Sequence, residues 1–260
     1  SPRLNIRYNP TEDLALRFSA GKAFRIANVF VENANFLASS RDVEVAEELL
    51  PEEAWNMGFN LTYCFYLAGR EGIINADVYR TNFENQVVVD AEQEGMLLFY
   101  NLTGSSFANT MQIDLGYELF DRFDMKLAYK INDVQTTYRD GQQKQVPLAP
   151  RGRALLNLAY ATNLDKWMFD VTANYVGESR IPSHPDINEG FSDPFMLYNA
   201  QITKKFNYFD VYLGGENLLS YTQDNPILNA QDPNSDIFDA SLIYAPIHGT
   251  MIYVGFRYKL

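Results

Sequence analysis

Hydrophobic residues recur at every second position along most of this chain. Between Trp55 and Phe65, the residues Trp55, Met57, Phe59, Leu61, Tyr63 and Phe65 alternate with Asn56, Gly58, Asn60, Thr62 and Cys64. A helix would scatter the six apolar side chains around its circumference. A strand puts all six on one face and the small polar set on the other. The pattern returns in Phe107–Leu119, where Met111, Ile113, Leu115, Tyr117 and Leu119 oppose Thr110, Gln112, Asp114, Gly116 and Glu118. It closes the chain, with Ile252, Val254, Phe256, Tyr258 and Leu260 set against Tyr253, Gly255, Arg257 and Lys259. Applied throughout, the template predicts about eleven strands, at 3–9, 14–24, 53–66, 73–83, 107–120, 125–133, 153–162, 167–177, 195–206, 210–218 and 250–260. One segment competes: Arg41–Glu53 spaces Val43, Val45, Ala46, Leu49 and Leu50 near a helical period, which makes it a candidate helix between two strands.

The predicted connections alternate in length. Those at 9–13, 68–72, 120–124, 163–166 and 207–209 are tight, and those at 25–52, 84–106, 134–152, 178–194 and 219–249 are long. Short turns at one end and long loops at the other is the wiring of outer-membrane β-barrels, with the short turns towards the periplasm. The polar face is rich in Asn, Thr, Gln, Gly and Ala rather than the Lys and Glu of a solvated sheet, which suits a wet, enclosed lumen. The apolar face suits lipid, with Trp55 and Phe65 bracketing one strand and Trp167 and Tyr175 another, as aromatic girdles do. The fold class read from these patterns is all-β, an antiparallel transmembrane β-barrel. The rival is a soluble lipocalin-like or sandwich core.

Composition narrows the function. With 21 Lys and Arg against 33 Asp and Glu, a net charge of −12, the chain lacks the basic surface that nucleic acid requires. Its 18 Phe and 17 Tyr exclude a disordered profile. The single cysteine, Cys64, excludes an internal disulfide or a cysteine-only metal site. No run reaches the ~18 apolar residues of a membrane-spanning helix. The opening Ser1-Pro2-Arg3-Leu4 does not read as a signal peptide, so a leader was removed or the protein begins elsewhere.

Catalysis finds little support. His184 and His248, the only histidines, fall in long connections with no His or Cys at ligand spacing, and no phosphate loop, nucleophile elbow or His-Glu-x-x-His motif occurs. The chain is read as no enzyme, with no cofactor. Asp232-Pro233-Asn234-Ser235-Asp236 begins like a calcium loop, but Ile237 replaces the turn glycine and Ile243 the closing Glu, so a solvated turn is expected. The acidic runs Asp90, Glu92, Glu94 and Asp186, Glu189, Asp193 either draw cationic ligands towards a pore or simply keep the surface soluble.

Several motifs together resemble TonB-dependent outer-membrane receptors of the Bacteroidota type. Tyr212-Leu213-Gly214-Gly215-Glu216-Asn217-Leu218-Leu219-Ser220-Tyr221, followed by Gln223-Asp224-Asn225-Pro226-Ile227, is similar to that family's penultimate strand. Tyr244–Gly249 and Ile252–Leu260 are similar to its closing segment, with Thr250 where relatives often carry Arg. Ser1–Asn5 with Leu16–Arg25, Leu50–Asn56 and Asp77–Phe83 resemble its mid-barrel strands, so the likeness runs through residues 1–260 in order.

The resemblance implies a barrel of 22 strands around a plug domain. About eleven strands would then be the C-terminal half, completed by another chain or a missing segment, because an open edge in hydrocarbon leaves backbone groups unsatisfied. Strand 250–260 is expected to pair with 210–218 on one side and to leave its other side for that partner. The polar-face charges Arg17, Asp77, Asp114, Glu118, Lys126, Lys130, Asp170, Arg257 and Lys259 either meet the plug or merely solvate a wet interior. The implied function is TonB-powered uptake of a small ligand across the Gram-negative outer membrane, with long loops extracellular. A siderophore, metal complex or cobalamin fits the ending better than a glycan. The alternative is a structural or assembly role, a receptor-derived barrel in a larger outer-membrane complex without transport.

Overall fold

The computed structural model describes residues 1–93, 95–182 and 190–259. In chain order the elements are β1 (Arg3–Tyr8), β2 (Leu14–Arg25), a short helix α1 (Val29–Glu32), β3 (Asp42–Val45), β4 (Glu52–Leu67) and β5 (Arg70–Asn85). There follow β6 (Val87–Asp90), β7 (Met96–Asn101), β8 (Ser106–Phe120), β9 (Phe123–Thr137), β10 (Gln143–Gln145) and β11 (Gly152–Ala161). The last four are β12 (Trp167–Val176), β13 (Phe195–Lys205), β14 (Phe209–Glu216) and β15 (Met251–Tyr258). The main sheet is an antiparallel meander, β1-β2-β4-β5-β8-β9-β11-β12-β13-β14-β15, with β10 folded back on β9. These eleven strands are the eleven of the alternation. The edge strands β1 and β15 each have one neighbour and do not pair with each other, so the sheet is open.

Register settles the faces, since directly paired residues share one. Met57 pairs with Ala20 and Arg80, Phe59 with Phe18 and Val78, and Leu61 with Leu16 and Ala76, which places the apolar set together. Asn60 pairs with Arg17 and Asp77, and Asp77 with Gln112, which places the polar set on the other side. Hollows of about 1000, 420 and 360 Å³ lie against the polar face, the largest touching Cys64, Ile73, Gly116, Lys126, Asn157 and Asp170 from six successive strands. The polar face is therefore concave. The convex face exposes Met57, Phe59, Met111, Ile113, Val254 and Phe256.

Two of the short turns, β4–β5 and β8–β9, are tighter than the alternation predicts. β4 and β5 are joined by Ala68-Gly69 alone, with φ of 51° and 77°. Two positive φ values mark the primed hairpin turn whose twist matches the flanking strands.

Three of the long connections hold structure the alternation misses, the third being β10. Arg41–Glu53 is not a helix: Asp42–Val45 forms β3 and pairs in parallel with β7, which is joined in turn to β6. Val43 and Val45 are β-branched and favour an extended backbone, and the partner edge comes from residues far along the chain. This small sheet carries well-buried apolar clusters. Val29, Val87, Ala91, Leu97 and Phe99 form one, and Val88, Leu98, Tyr100 and Tyr138 the other.

Candidate functional site

The concave wall carries all the charges singled out from the alternation, spread over several rows. One row runs Arg17, Asn60, Asp77, Gln112, Lys130 and Arg153 across six strands. Asp77 accepts a hydrogen bond from Asn60 Nδ2 at 2.9 Å. Asp114, one row nearer the short turns, accepts from Gln112 Nε2 at 3.1 and 3.0 Å. Lys126 pairs with Gly116 and Asn157 in the next row. Asp170 follows, receiving Asn157 Nδ2 on both oxygens at 3.1 Å. Glu118 lies at the short-turn end, where it accepts from the Arg122 backbone N–H at 2.7 Å and pairs with Arg70 at 3.2 Å. Arg257 stands far across the wall, opposite Asp210, whose buried carboxylate takes Lys259 Nζ at 2.7 Å. Among the described residues, Arg17, Lys126, Lys130 and Arg257 form no ion pair within 4.0 Å, and the neighbouring Asp77, Asp114 and Asp170 are already bonded to amides. The sequence reading missed Arg7 and Arg153, which pair with Arg17 and Lys130 on this face. In β1 the alternation of Leu4, Ile6 and Tyr8 with Arg3, Asn5 and Arg7 is the signal that finds the first of them.

Above the wall, the long connections are tied into one cap. Arg41 reaches across from the first connection to the last, pairing with Asp239 Oδ2 at 3.0 Å and donating to the Ala91 and Met96 carbonyls. Both side chains of that pair are buried. Arg180 joins the second, third and fourth connections. It pairs with Glu92 at 2.7 Å, donates to Tyr138 Oη at 3.2 Å and to the Gln145 carbonyl, and lies over the Tyr138 ring. Burial pushes the Tyr138 phenol up to about 12, and burial with the Asp90 hydrogen bond pushes Tyr100 well above the usual phenol range. Lys144 holds the Asp140 carboxyl below its usual range. Asp90 and Glu92 are therefore internal ties rather than free acids of a pore mouth. Glu94, His184, Asp186, Glu189 and Leu260 lie outside the described residues.

The last connection is pinned by Asn217. Its amide donates to the Tyr221 and His248 carbonyls at 2.6 and 3.1 Å and accepts from Tyr221 N–H at 2.9 Å. Thr250 Oγ1 donates to the Asn217 carbonyl at 2.8 Å, which gives the departure from Arg a structural role. A cavity of about 740 Å³ opens between this connection and residues 190–194, lined among others by Phe191, Asp193, Gln223, Asp224, Leu242 and Tyr244. Asp232 folds onto its own turn, accepting from Asn234 N–H at 3.3 Å. Among the described residues no three acid, His or Cys side chains converge on a point that could hold a metal ion.

Residues 1–218 match the family described as TonB dependent receptor-like, beta-barrel, and the chain belongs to that family. Solved structures share its fold at low identity. The ferric enterobactin receptor of Pseudomonas aeruginosa, in complex with enterobactin, superposes with a TM-score of 0.69 at 14% identity, over 98% of this chain and 40% of that one. For the copper transporter OprC the values are 0.72 and 13%, over 99% and 39%. For the ferric-catecholate import receptor Fiu of E. coli K12 they are 0.65 and 15%, over 98% and 34%. The chain thus spans between a third and two-fifths of the length of these structures. No curated protein matches it in sequence.

Proposed function

We propose that the chain is the C-terminal part of the barrel of an outer-membrane receptor that imports a scarce ligand, such as a siderophore, metal complex or cobalamin, with energy supplied through TonB. The observation that carries this reading is the open meander itself. A convex apolar face and a concave polar one, with interlocked loops at one end and short turns at the other, make a membrane wall that is unfinished at β1 and β15. Backbone groups left open in hydrocarbon cost several kcal/mol each, so further strands must complete both edges. Residues 1–260 are then one unit of that barrel. The uncommitted Arg17, Lys126, Lys130 and Arg257 are placed to meet a plug domain filling the lumen, and the cap is placed to meet ligand first. Outer-membrane lipid surrounds the convex face, and the long connections face outside the cell.

Deleting the gene, and separately removing TonB function, tests the reading in the organism that carries it. Energy-dependent uptake of a metal complex or cobalamin that both lesions abolish is the expected result. Loss of outer-membrane assembly with uptake intact would favour the structural alternative.

A further inference from the structure

The charge of the chain is not spread evenly. Residues 26–51, 86–105, 138–151, 177–194 and 217–250, the five connections at the long-loop end, hold seventeen Asp and Glu against five Lys and Arg. The strands and short turns hold sixteen of each, so along the sequence the net charge of −12 belongs to the five long connections. Residues 217–250 are the extreme, with Asp224, Asp232, Asp236 and Asp239 and no Lys or Arg.

Some of these acids are engaged inside the cap, as Asp90, Glu92 and Asp239 are. Asp193 and Asp224 differ: both are exposed, and both line the cavity of about 740 Å³. Phe191, Leu242 and Tyr244 add aromatic and apolar wall, and among its described lining residues there is no Lys or Arg. Arg151 lies over the Phe191 ring but is held by Glu178 at 2.7 Å. The phenols of Tyr221 and Tyr244 are both raised, by burial first and then by charges that include Asp193 and Asp224. Tyr221 stacks at 5.1 Å on Phe195, which pairs with Val176 on the concave face. Asp193, in the cavity wall, lies two residues before β13 begins at Phe195, so the cavity adjoins the long-loop end of the concave wall.

We infer that this cavity is a ligand-entry site for a cationic, amine-bearing metal chelate and that it turns away polyanionic complexes; the inference rests on the uptake reading above. A polyanion entering here would desolvate two carboxylates with no cation among the described lining residues to compensate, in a mouth whose summed field opposes it. A cation gains from both carboxylates, from the Tyr244 ring face and from long-range steering by the same field.

The test uses the complete receptor purified in detergent and two iron complexes of similar size: a cationic ferric trihydroxamate with a free amine, and a trianionic ferric tris-catecholate. Quenching of intrinsic fluorescence reads binding at low and high salt. The expected result is a preference for the cation of roughly tenfold or more at low salt, shrinking as ionic strength rises. The double variant Asp193→Asn with Asp224→Asn should remove most of that preference and leave circular dichroism and outer-membrane assembly unchanged. A preference for the trianion, or one that both substitutions leave intact, overturns the inference without touching the uptake reading. Binding of neither complex also overturns it, and TonB-dependent growth under metal limitation in the same strain then decides the uptake reading separately.

Discussion

Asn217 sits where β14 ends, buried, with φ of 50°. Asparagine tolerates this left-handed conformation, and its short amide can serve neighbouring backbone as both donor and acceptor. Asn217→Ala leaves the Tyr221 and His248 carbonyls and the Tyr221 N–H without their partner, so we expect a loss of about 2–4 kcal/mol. Equilibrium unfolding of the complete receptor reads the magnitude, and hydrogen exchange should show faster exchange confined to residues 217–223 and 246–250. Thr250→Val, which removes one bond, should cost only about 1 kcal/mol. Tyr138 gives a pH prediction at the same scale. Its phenol is raised from 10.0 to about 12 in the folded cap, so the neutral form is favoured there. The stability it contributes is complete below the unfolded value and is lost as pH rises from 10.0 through about 12. Absorbance of tyrosinate should show several phenols lagging behind the exposed ones, Tyr100 and Tyr138 among them, and Tyr138→Phe should remove one of them; an unchanged titration would sink the assignment.

At the scale of the strand, alternation carries the argument because period two leaves no freedom once register is set. Leu61→Arg or Ile113→Arg places a charge on the convex face near its middle and should cost on the order of 2–4 kcal/mol in a bilayer. Asn60→Arg or Gln112→Arg, one residue away on the concave face, should be mild. Equal costs for the two pairs, measured by unfolding in lipid, would reverse the assigned orientation of the sheet. Aromatic rings also cover cross-strand glycines, and a Cβ at Gly58 would run into the Tyr79 ring. The one element misjudged, Arg41–Glu53, shows the limit of local periodicity. Its apolar spacing fits a helix loosely, yet Asp42–Val45 extends to pair with Met96–Phe99, an edge no local pattern announces.

Across the molecule, the cap is held by pairs distant in sequence. Arg41 and Asp239 are 198 residues apart, and both are buried. Arg41→Met leaves the Asp239 carboxylate without its charge partner in a dry site, which should cost about 3–5 kcal/mol of local stability. Hydrogen exchange should then rise at 38–42 and 239–241, while Arg41→Met with Asp239→Leu should recover much of the loss. If the single variant leaves exchange unchanged there, the cap is not organised around this pair.

Eleven strands, their order and their two faces were legible in the sequence, because each strand is long enough for apolar–polar alternation to exclude a helix and each short turn forces the next strand antiparallel. The same alternation put Arg17, Asp77, Asp114 and Lys130 on one face, where the register also brings Arg7 and Arg153, which were not singled out from the sequence. The motif around Asn217 carried the family likeness, though not the bonds that explain it. The cap was not legible: β3, β6 and β7, the Arg41–Asp239 and Arg180–Glu92 ties and the cavity beside Asp193 and Asp224 join residues from different connections. Only the closing of the meander brings those connections to one end and side by side. Strand geometry is a local property of the chain, whereas contact between loops depends on where the finished sheet delivers them.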